Sequence, residues 1–300
     1  ITKEALENTV TLLSAIGGSL NAMIHLPALA AELGLELDWD DIAKITSKTP
    51  VLCGIVPNGN LTAVDLHYAG GIPAVMKELR DKLHGECLNV CGLSLGEILE
   101  QTKDGDRTVI HTAGEPLEKA NGIQVLYGNL APQGALVKTS AVPENVRVFE
   151  GTAKVFDGED ACYAAFRDHA IHEGDAVIVR YEGPKGGPGM KELHRITEII
   201  KGIPRTAVIT DGRFSGASGG LSIGYLCPEA EEGGPIALVK NGDRIQVDLY
   251  KGMIHLDVSD EELISRRNAW EHGEKKKEKG LLGRYAAMVG NARQGATFHI

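Results

Sequence analysis

Two glycine-rich segments of the 300-residue chain carry the residues best suited to chemistry. The first, residues 181–192, reads Tyr-Glu-Gly-Pro-Lys-Gly-Gly-Pro-Gly-Met-Lys-Glu and leads from a predicted strand into a predicted helix. A loop with few side chains exposes backbone N–H groups at a helix N-terminus, an arrangement that binds anions. It lacks the Gly-Lys-Ser/Thr ending of a P-loop and the spacing of a dinucleotide fingerprint, so no nucleotide site is predicted.

Glu192, at the end of this first segment, has two interpretations. An acidic side chain in the first turn of a helix favours the helix dipole, and from position alone this is the more frequent role. The alternative is that the carboxylate beside the open loop is a ligand. Both interpretations stay open from the residues alone.

The second segment, residues 210–220, follows a predicted strand and reads Thr-Asp-Gly-Arg-Phe-Ser-Gly-Ala-Ser-Gly-Gly. Its glycines allow a sharp turn that presents Arg213 and Ser215 at the end of the strand. The hydrolase pattern Gly-x-Ser-x-Gly is not met, and the sequence cannot place His194 or His255 as a base against Ser215. Ser215 is therefore either a turn residue that bonds its own backbone or a reactive hydroxyl.

The cysteines and histidines give no clear metal signature. The five cysteines are scattered and form no Cys-x-x-Cys pair, so a structural zinc site is not predicted, and their odd number suits a reducing compartment. His169 and His172 lie near the end of a predicted helix, where a positive charge fits the helix C-terminus as well as a metal.

Composition excludes several classes of protein. The chain has 43% hydrophobic and 24% charged residues, as globular proteins do, and its formal charge of -10 disfavours binding to nucleic acid or anionic membranes. No apolar run approaches the roughly 18 to 20 residues that a membrane span needs. No secretory signal is visible at the start, so we expect a cytoplasmic protein.

Hydrophobic periodicity divides the chain near residue 124 and predicts an α/β fold. Helices are expected at 3–15, 20–33, 38–45, 72–83, 94–101, 160–170, 189–200 and 259–270. Short strands are expected at 123–127, 135–139, 146–156, 176–181, 206–210, 236–239, 244–249 and 253–258. The prediction is thus a helical part over residues 1–124 and a β-barrel-like domain over residues 125–300.

Read together, the two glycine-rich segments resemble the corresponding segments of the dihydroxy-acid dehydratase/6-phosphogluconate dehydratase family. The likeness rests on Glu-Gly-Pro-Lys-Gly-Gly-Pro-Gly-Met at 182–190 and Thr-Asp-Gly-Arg-Phe-Ser-Gly at 210–216. Further matching motifs follow the same order along nearly the whole chain, at residues 17–22, 65–67, 69–76, 129–132, 221–224 and 228–230. The two loops are most similar to those of the family branch that acts in branched-chain amino acid (valine, isoleucine) biosynthesis.

The resemblance implies a hydro-lyase that converts 2,3-dihydroxy carboxylic acids to 2-keto acids. By motif position it makes Ser215 the base that takes the C2 proton and a substrate-binding residue, with Arg213 beside it. Glu192 would be a Mg²⁺ ligand, and an iron–sulfur cluster, [2Fe-2S] or [4Fe-4S], would assist departure of the C3 hydroxyl. The barrel-like domain would be of the swivelling type found in the family, and the enzyme a homodimer.

The chain departs from the family in length. Family members are nearly twice as long, and their cluster cysteines and remaining Mg²⁺ ligands lie in a part that the sequence does not show. The chain is therefore expected to be the C-terminal half, with residues 1–124 as the helical remainder of an α/β domain, no cluster ligands and no activity alone. The alternatives are a sugar-acid or 6-phosphogluconate dehydratase and a non-catalytic binding module.

Overall fold

The computed structural model describes residues 1–196, 202–216, 218–271 and 278–298. By their internal contacts the residues form two compact units. Unit 1 comprises Ile1–Gln124 with Lys138–Ala141, and unit 2 comprises Val125–Val137 with Val142–Ile300. None of the helices within the described ranges has both the length and the apolar stretch needed to cross a bilayer.

Unit 1 is helical. Its helices are α1 Lys3–Ala15, α2 Ala22–Glu32, α3 Trp39–Thr46, α4 Ala63–Tyr68, α5 Gly71–Glu78 and α6 Leu95–Gln101. A capping box begins α6, because the side chains of Ser94 and Glu97 each accept from the other residue's backbone N–H. The helix predicted at 72–83 ends earlier, at Glu78, and a 3₁₀ turn, Arg80–Lys82, follows it.

Unit 2 is built on a closed barrel of eight strands in the order β1-β2-β6-β5-β4-β3-β7-β8. The strands are β1 Gln124–Gly128, β2 Ala131–Val137, β3 Val148–Asp157, β4 Asp175–Arg180, β5 Ala207–Thr210, β6 Leu221–Cys227, β7 Arg244–Asp248 and β8 Met253–Leu256. Four helices with described bounds accompany them: α7 Glu159–Arg167, α8 Pro235–Leu238, α9 Asp260–Asn268 and α10 Gly280–Met288. The prediction of an α/β chain with a barrel-like sheet is confirmed.

Strands β4 and β5, in the parallel part of the barrel, are buried on both faces. The pairs β3–β4, β4–β5 and β5–β6 are parallel, whereas β2–β6, β3–β7 and β7–β8 are antiparallel. Ile178 and Ile209 belong to the core of the barrel, while Val177 and Val208 pack in a second cluster with Cys162 of α7. Such two-sided burial explains why β4 and β5 are continuous apolar runs.

In unit 2, one predicted strand is wrong, one strand is missed and one helix starts later than predicted. The run 236–239, predicted as a strand, is helix α8, because Pro235 begins a helical turn whose four residues are all buried and therefore show no periodicity. Strand β6 was not predicted, since Ser222 and Gly224 interrupt its apolar pattern. The helix predicted from residue 189 starts only at residue 194, and residues 197–201 lie outside the described ranges.

Asn129 closes the barrel where backbone pairing is sparse. Between β1 and β8 the parallel register shows the pair Tyr127 and Met253. Asn129, in the turn after β1, adds two bonds to Leu256: its Nδ2 donates to the carbonyl at 2.8 Å, and its Oδ1 accepts from the N–H at 2.7 Å. The side-chain amide of Asn129 thus makes two hydrogen bonds to the backbone of β8, as a paired backbone residue would.

We expect Asn129→Ala to lower the free energy of unfolding of unit 2 by about 1–3 kcal/mol, because a donor and an acceptor of Leu256 lose their partner. Urea unfolding followed by circular dichroism measures this change. Asn268→Ala, on the exposed end of α9, is the matched control and should shift stability by less than about 0.5 kcal/mol. Equal effects of the two substitutions would contradict the assigned role of Asn129.

Candidate active site

The turn 211–213, which follows β5, is organised around a buried carboxylate. Asp211 is fully buried, and it accepts hydrogen bonds from the N–H groups of Tyr181 (3.1 Å), Glu182 (3.0 Å) and Ala230 (2.8 Å). Burial raises the pKa of Asp211, while these three donors act in the opposite direction. One side chain therefore joins the segments that follow β4, β5 and β6.

Three non-glycine residues around this turn have left-handed backbones: Tyr181 (φ 64°), Met190 (φ 43°) and Tyr225 (φ 59°). Each is bonded to the turn 211–213. The N–H of Tyr181 donates to Asp211, the N–H of Tyr225 donates to the carbonyl of Gly212 at 2.8 Å, and Arg213 Nε donates to the carbonyl of Met190. Strained residues of this kind persist only where the surroundings fix them, and they cluster at functional sites.

Glu192 and Arg213 lie side by side. Their backbones form a parallel bridge, and the N–H of Leu193 donates to the Arg213 carbonyl at 2.9 Å. Glu192 thus belongs to an extended segment ahead of the helix that starts at residue 194, and not to its first turn as the sequence suggested. Glu192 is exposed.

Ser215 lies two residues beyond Arg213 in the same loop and is half-buried. Its carbonyl accepts from the N–H of Ser218 at 3.0 Å. The structure therefore pairs the backbones of Glu192 and Arg213, and Ser215 follows in the loop after β5.

Sequence reasoning missed Tyr225, which shares this environment. Its side chain is fully buried, and burial raises the pKa of its phenol. The positive charge of Arg213 lowers that pKa and the negative charge of Glu192 raises it. Nothing in the sequence pattern singled out this tyrosine, because its position depends on the pairing of β6.

The glycine-rich loop binds a carboxyl group of the protein itself. The two carboxylate oxygens of Glu229 accept from the N–H groups of Lys185 and Gly186, each at 2.8 Å. A Cβ on Gly183 would lie 2.6 Å from the same carboxylate, so glycine is required there. Burial, together with the nearby charge of Asp211, raises the pKa of Glu229 to about 8.

Nowhere among the described residues do three or more His, Cys, Asp or Glu side chains group in a way that could hold a metal ion. Cys53, Cys162 and Cys227 are buried, which raises the pKa of their thiols to about 11, 12 and 12. A cavity of about 310 Å³ beside the glycine loop is bordered by Glu159 and Lys191, which pair at 3.0 Å.

Two family models together match most of the chain. The family model described as dihydroxy-acid/6-phosphogluconate dehydratase C-terminal matches residues 108–296, which include both glycine segments. The chain belongs to this family. The corresponding N-terminal family model matches residues 1–98. The resemblance stated from the motifs is therefore confirmed.

Curated relatives are also similar along nearly the whole chain. Proteins named dihydroxy-acid dehydratase from Ruminiclostridium cellulolyticum and Acetivibrio thermocellus are 46% and 47% identical to it over 99% of its length. The one from Francisella tularensis subsp. novicida is 43% identical over 98%. The chain spans about half the length of these relatives, 54% in each case.

We expect the stability of the chain to fall between pH 4.5 and about 8 through Glu229. Over this range the folded carboxyl holds a proton that the unfolded one, with its pKa near 4.5, has released, so rising pH favours unfolding. Glu229→Gln, neutral at every pH, should flatten the dependence of the urea midpoint on pH. Exposed Glu173→Gln should leave that slope unchanged, and parallel curves for all three proteins would contradict the assignment.

Proposed function

We propose that the protein containing this chain is a hydro-lyase that converts 2,3-dihydroxy carboxylic acids to 2-keto acids in branched-chain amino acid biosynthesis. The observation that carries the proposal is the backbone bridge between Glu192 and Arg213, with Ser215 in the same loop. It combines a candidate cation ligand, a guanidinium and a hydroxyl in a chain of the dehydratase family.

Ser215 is the proposed base. In the elimination its Oγ, as the alkoxide, takes the proton from C2, the C–H electron pair forms the C2–C3 double bond, and the C3–O bond breaks. The departing hydroxide takes that proton from Ser215 and leaves as water, and the resulting enol tautomerises to the keto acid. A serine hydroxyl is a weak base unless its anion is stabilised, and the candidate for that stabilisation in this loop is Arg213, two residues before Ser215.

Arg213 is the proposed partner of the substrate. Its Nε donates to the carbonyl of Met190, a contact that fixes the plane of the guanidinium. A fixed guanidinium recognises a carboxylate through two parallel hydrogen bonds, which suits the acid group of a 2,3-dihydroxy acid. The left-handed backbone of Met190 directs its carbonyl to this contact.

Glu192 fits a role as one Mg²⁺ ligand, because its carboxylate is exposed and its backbone is held beside Arg213. Protein sites for Mg²⁺ often use one or two carboxylates, with water and substrate completing the shell. When bound there, the ion would supply a positive charge that favours the developing enolate. The remaining protein ligands are assigned to the part of the relatives that this chain does not match.

The cysteines of this chain do not fit an iron–sulfur cluster. Three are buried singly with raised thiol pKa values, which disfavours the thiolate that a cluster needs. We therefore propose that a cluster of the family type has its ligands in the unmatched part, and that this chain needs that part to act. The swivelling of the barrel, the homodimer and the cytoplasmic location remain predictions.

Separate results test the alternative substrate, 6-phosphogluconate, and the alternative that the protein is a non-catalytic binding module. The family model covers both dihydroxy-acid and 6-phosphogluconate dehydratases, whereas the three relatives named above are dihydroxy-acid dehydratases. Turnover of 2,3-dihydroxyisovalerate and 6-phosphogluconate, assayed side by side with the full-length enzyme, distinguishes the two. Turnover of neither by enzyme carrying its metal and cluster would favour a binding module.

In the full-length enzyme we expect Ser215→Ala to lower kcat by about 10² to 10⁴-fold, because the acceptor of the C2 proton is lost. Mg²⁺ content and substrate affinity should stay unchanged. Ser265→Ala, on the exposed face of α9, is the control and should keep normal turnover. Near-normal kcat in Ser215→Ala would show that another group is the base.

Glu192→Gln should instead weaken the binding of Mg²⁺, since one anionic oxygen of the shell is replaced by a neutral amide. Raising Mg²⁺ should therefore partly restore its activity, a rescue not expected for Ser215→Ala. Glu173→Gln, at an exposed position after α7, provides the control. If Glu192→Gln binds Mg²⁺ with unchanged affinity, the ligand assignment is wrong.

A further inference from the structure

Tyr225 occupies a bulge in strand β6. The antiparallel register with β2 pairs Gly134 with Cys227 but Leu136 with Gly224, so β6 carries one extra residue between these pairs. Tyr225 lies in that interval with a φ of 59°. Such bulges re-aim a side chain, and they are frequent beside active sites.

A left-handed backbone is unfavourable for a bulky aromatic residue, and glycine would adopt it without strain. The structure nevertheless holds Tyr225 there, with its N–H on the Gly212 carbonyl at 2.8 Å and its side chain fully buried. The preceding Gly224 makes close approach possible, because a Cβ there would lie 3.1 Å from the Gly212 carbonyl oxygen. The bulge therefore places a buried tyrosine next to the turn 211–213.

The phenol of Tyr225 lies within the fields of two opposite charges. Arg213 and Glu192 are the charged side chains that act on it, one favouring and one opposing its ionisation. These two residues are bridged through their backbones, and the N–H of Tyr225 bonds the carbonyl of Gly212, the residue before Arg213, so Tyr225 lies next to the pair that the proposed function uses. A neutral hydroxyl can serve both, since it donates to a carboxylate and accepts from a guanidinium.

We propose that Tyr225 is a positioning residue for the Glu192–Arg213 pair. In the loaded site its hydroxyl orients the Glu192 carboxylate toward Mg²⁺ and the Arg213 guanidinium toward the substrate, directly or through one water. Its N–H holds the turn that carries Arg213. This role rests on the proposed function, which supplies the metal and the substrate carboxylate.

The first experiment tests the placement of the phenol without any activity. The 300-residue chain is labelled with ¹³Cζ-tyrosine, which gives seven tyrosine signals, and Tyr225→Phe identifies the one from Tyr225. We expect Glu192→Gln and Arg213→Lys each to shift that signal, and Glu173→Gln to leave it in place. A signal that responds to neither Glu192→Gln nor Arg213→Lys would overturn the proposal, whether or not the enzyme is a dehydratase.

The second experiment uses the full-length enzyme and measures Mg²⁺ affinity by titration calorimetry. Tyr225→Phe keeps the ring and the bulge but removes the hydroxyl, so we expect Mg²⁺ affinity to fall by about 10-fold or more, as for other losses of a group that orients a metal ligand. The matched control is Tyr181→Phe. Tyr181 is also buried and left-handed, but its ring lies against Arg180.

The two substitutions separate positioning from general stability. If Tyr225→Phe and Tyr181→Phe lower the unfolding free energy alike and only Tyr225→Phe weakens Mg²⁺ binding, the role of Tyr225 is supported. Unchanged Mg²⁺ affinity in Tyr225→Phe would overturn it. Failure of the unsubstituted enzyme to dehydrate 2,3-dihydroxyisovalerate would instead refute the proposed function, while the calorimetry and the ¹³C shifts still decide the placement and the metal dependence of Tyr225.

Discussion

The buried carboxylate of Asp211 is the constraint on which the rest of this site depends. A charge removed from water is unfavourable unless it is compensated, and here three backbone N–H groups point at it. Those donors come from the segments that follow β4 and β6, while Asp211 itself follows β5. The ends of three neighbouring strands are thereby fixed at one point, and the loops that carry the candidate chemistry start from it.

The glycines make this arrangement possible by allowing close approach of backbones. A Cβ on Gly186 or Gly187 would lie 2.9 Å from the Cα of Tyr181 or Glu182, and one on Gly212 would lie 2.7 Å from the Glu182 side chain. The glycine-rich loop therefore folds back on the end of β4. Its N–H groups at Lys185 and Gly186 are bound by Glu229, so the structure gives these donors a structural role in place of the expected external anion.

Rigidity at the turn 211–213 has a consequence for chemistry. Proton abstraction by a weak base such as serine depends on groups held in place before the reaction, because reorganisation during the step raises the barrier. The left-handed backbones of Met190 and Tyr225 show that the fold tolerates local strain to fix Arg213 and its neighbours. Glu192 then lies beside Arg213 through backbone pairing, independent of its own side chain.

The sequence by itself determined the α/β class, most of the helices and strands, and the motifs around Glu192, Arg213 and Ser215, because periodicity and short motifs are local properties. Strand β6 escaped it because Ser222 and Gly224 interrupt its apolar pattern, and helix α8 escaped it because its four residues are all buried and show no period. Tertiary structure alone decided the closure of the barrel, the bridge between Glu192 and Arg213, and the inward position of Tyr225. Each of these depends on pairing between residues distant in the chain, which no local pattern encodes.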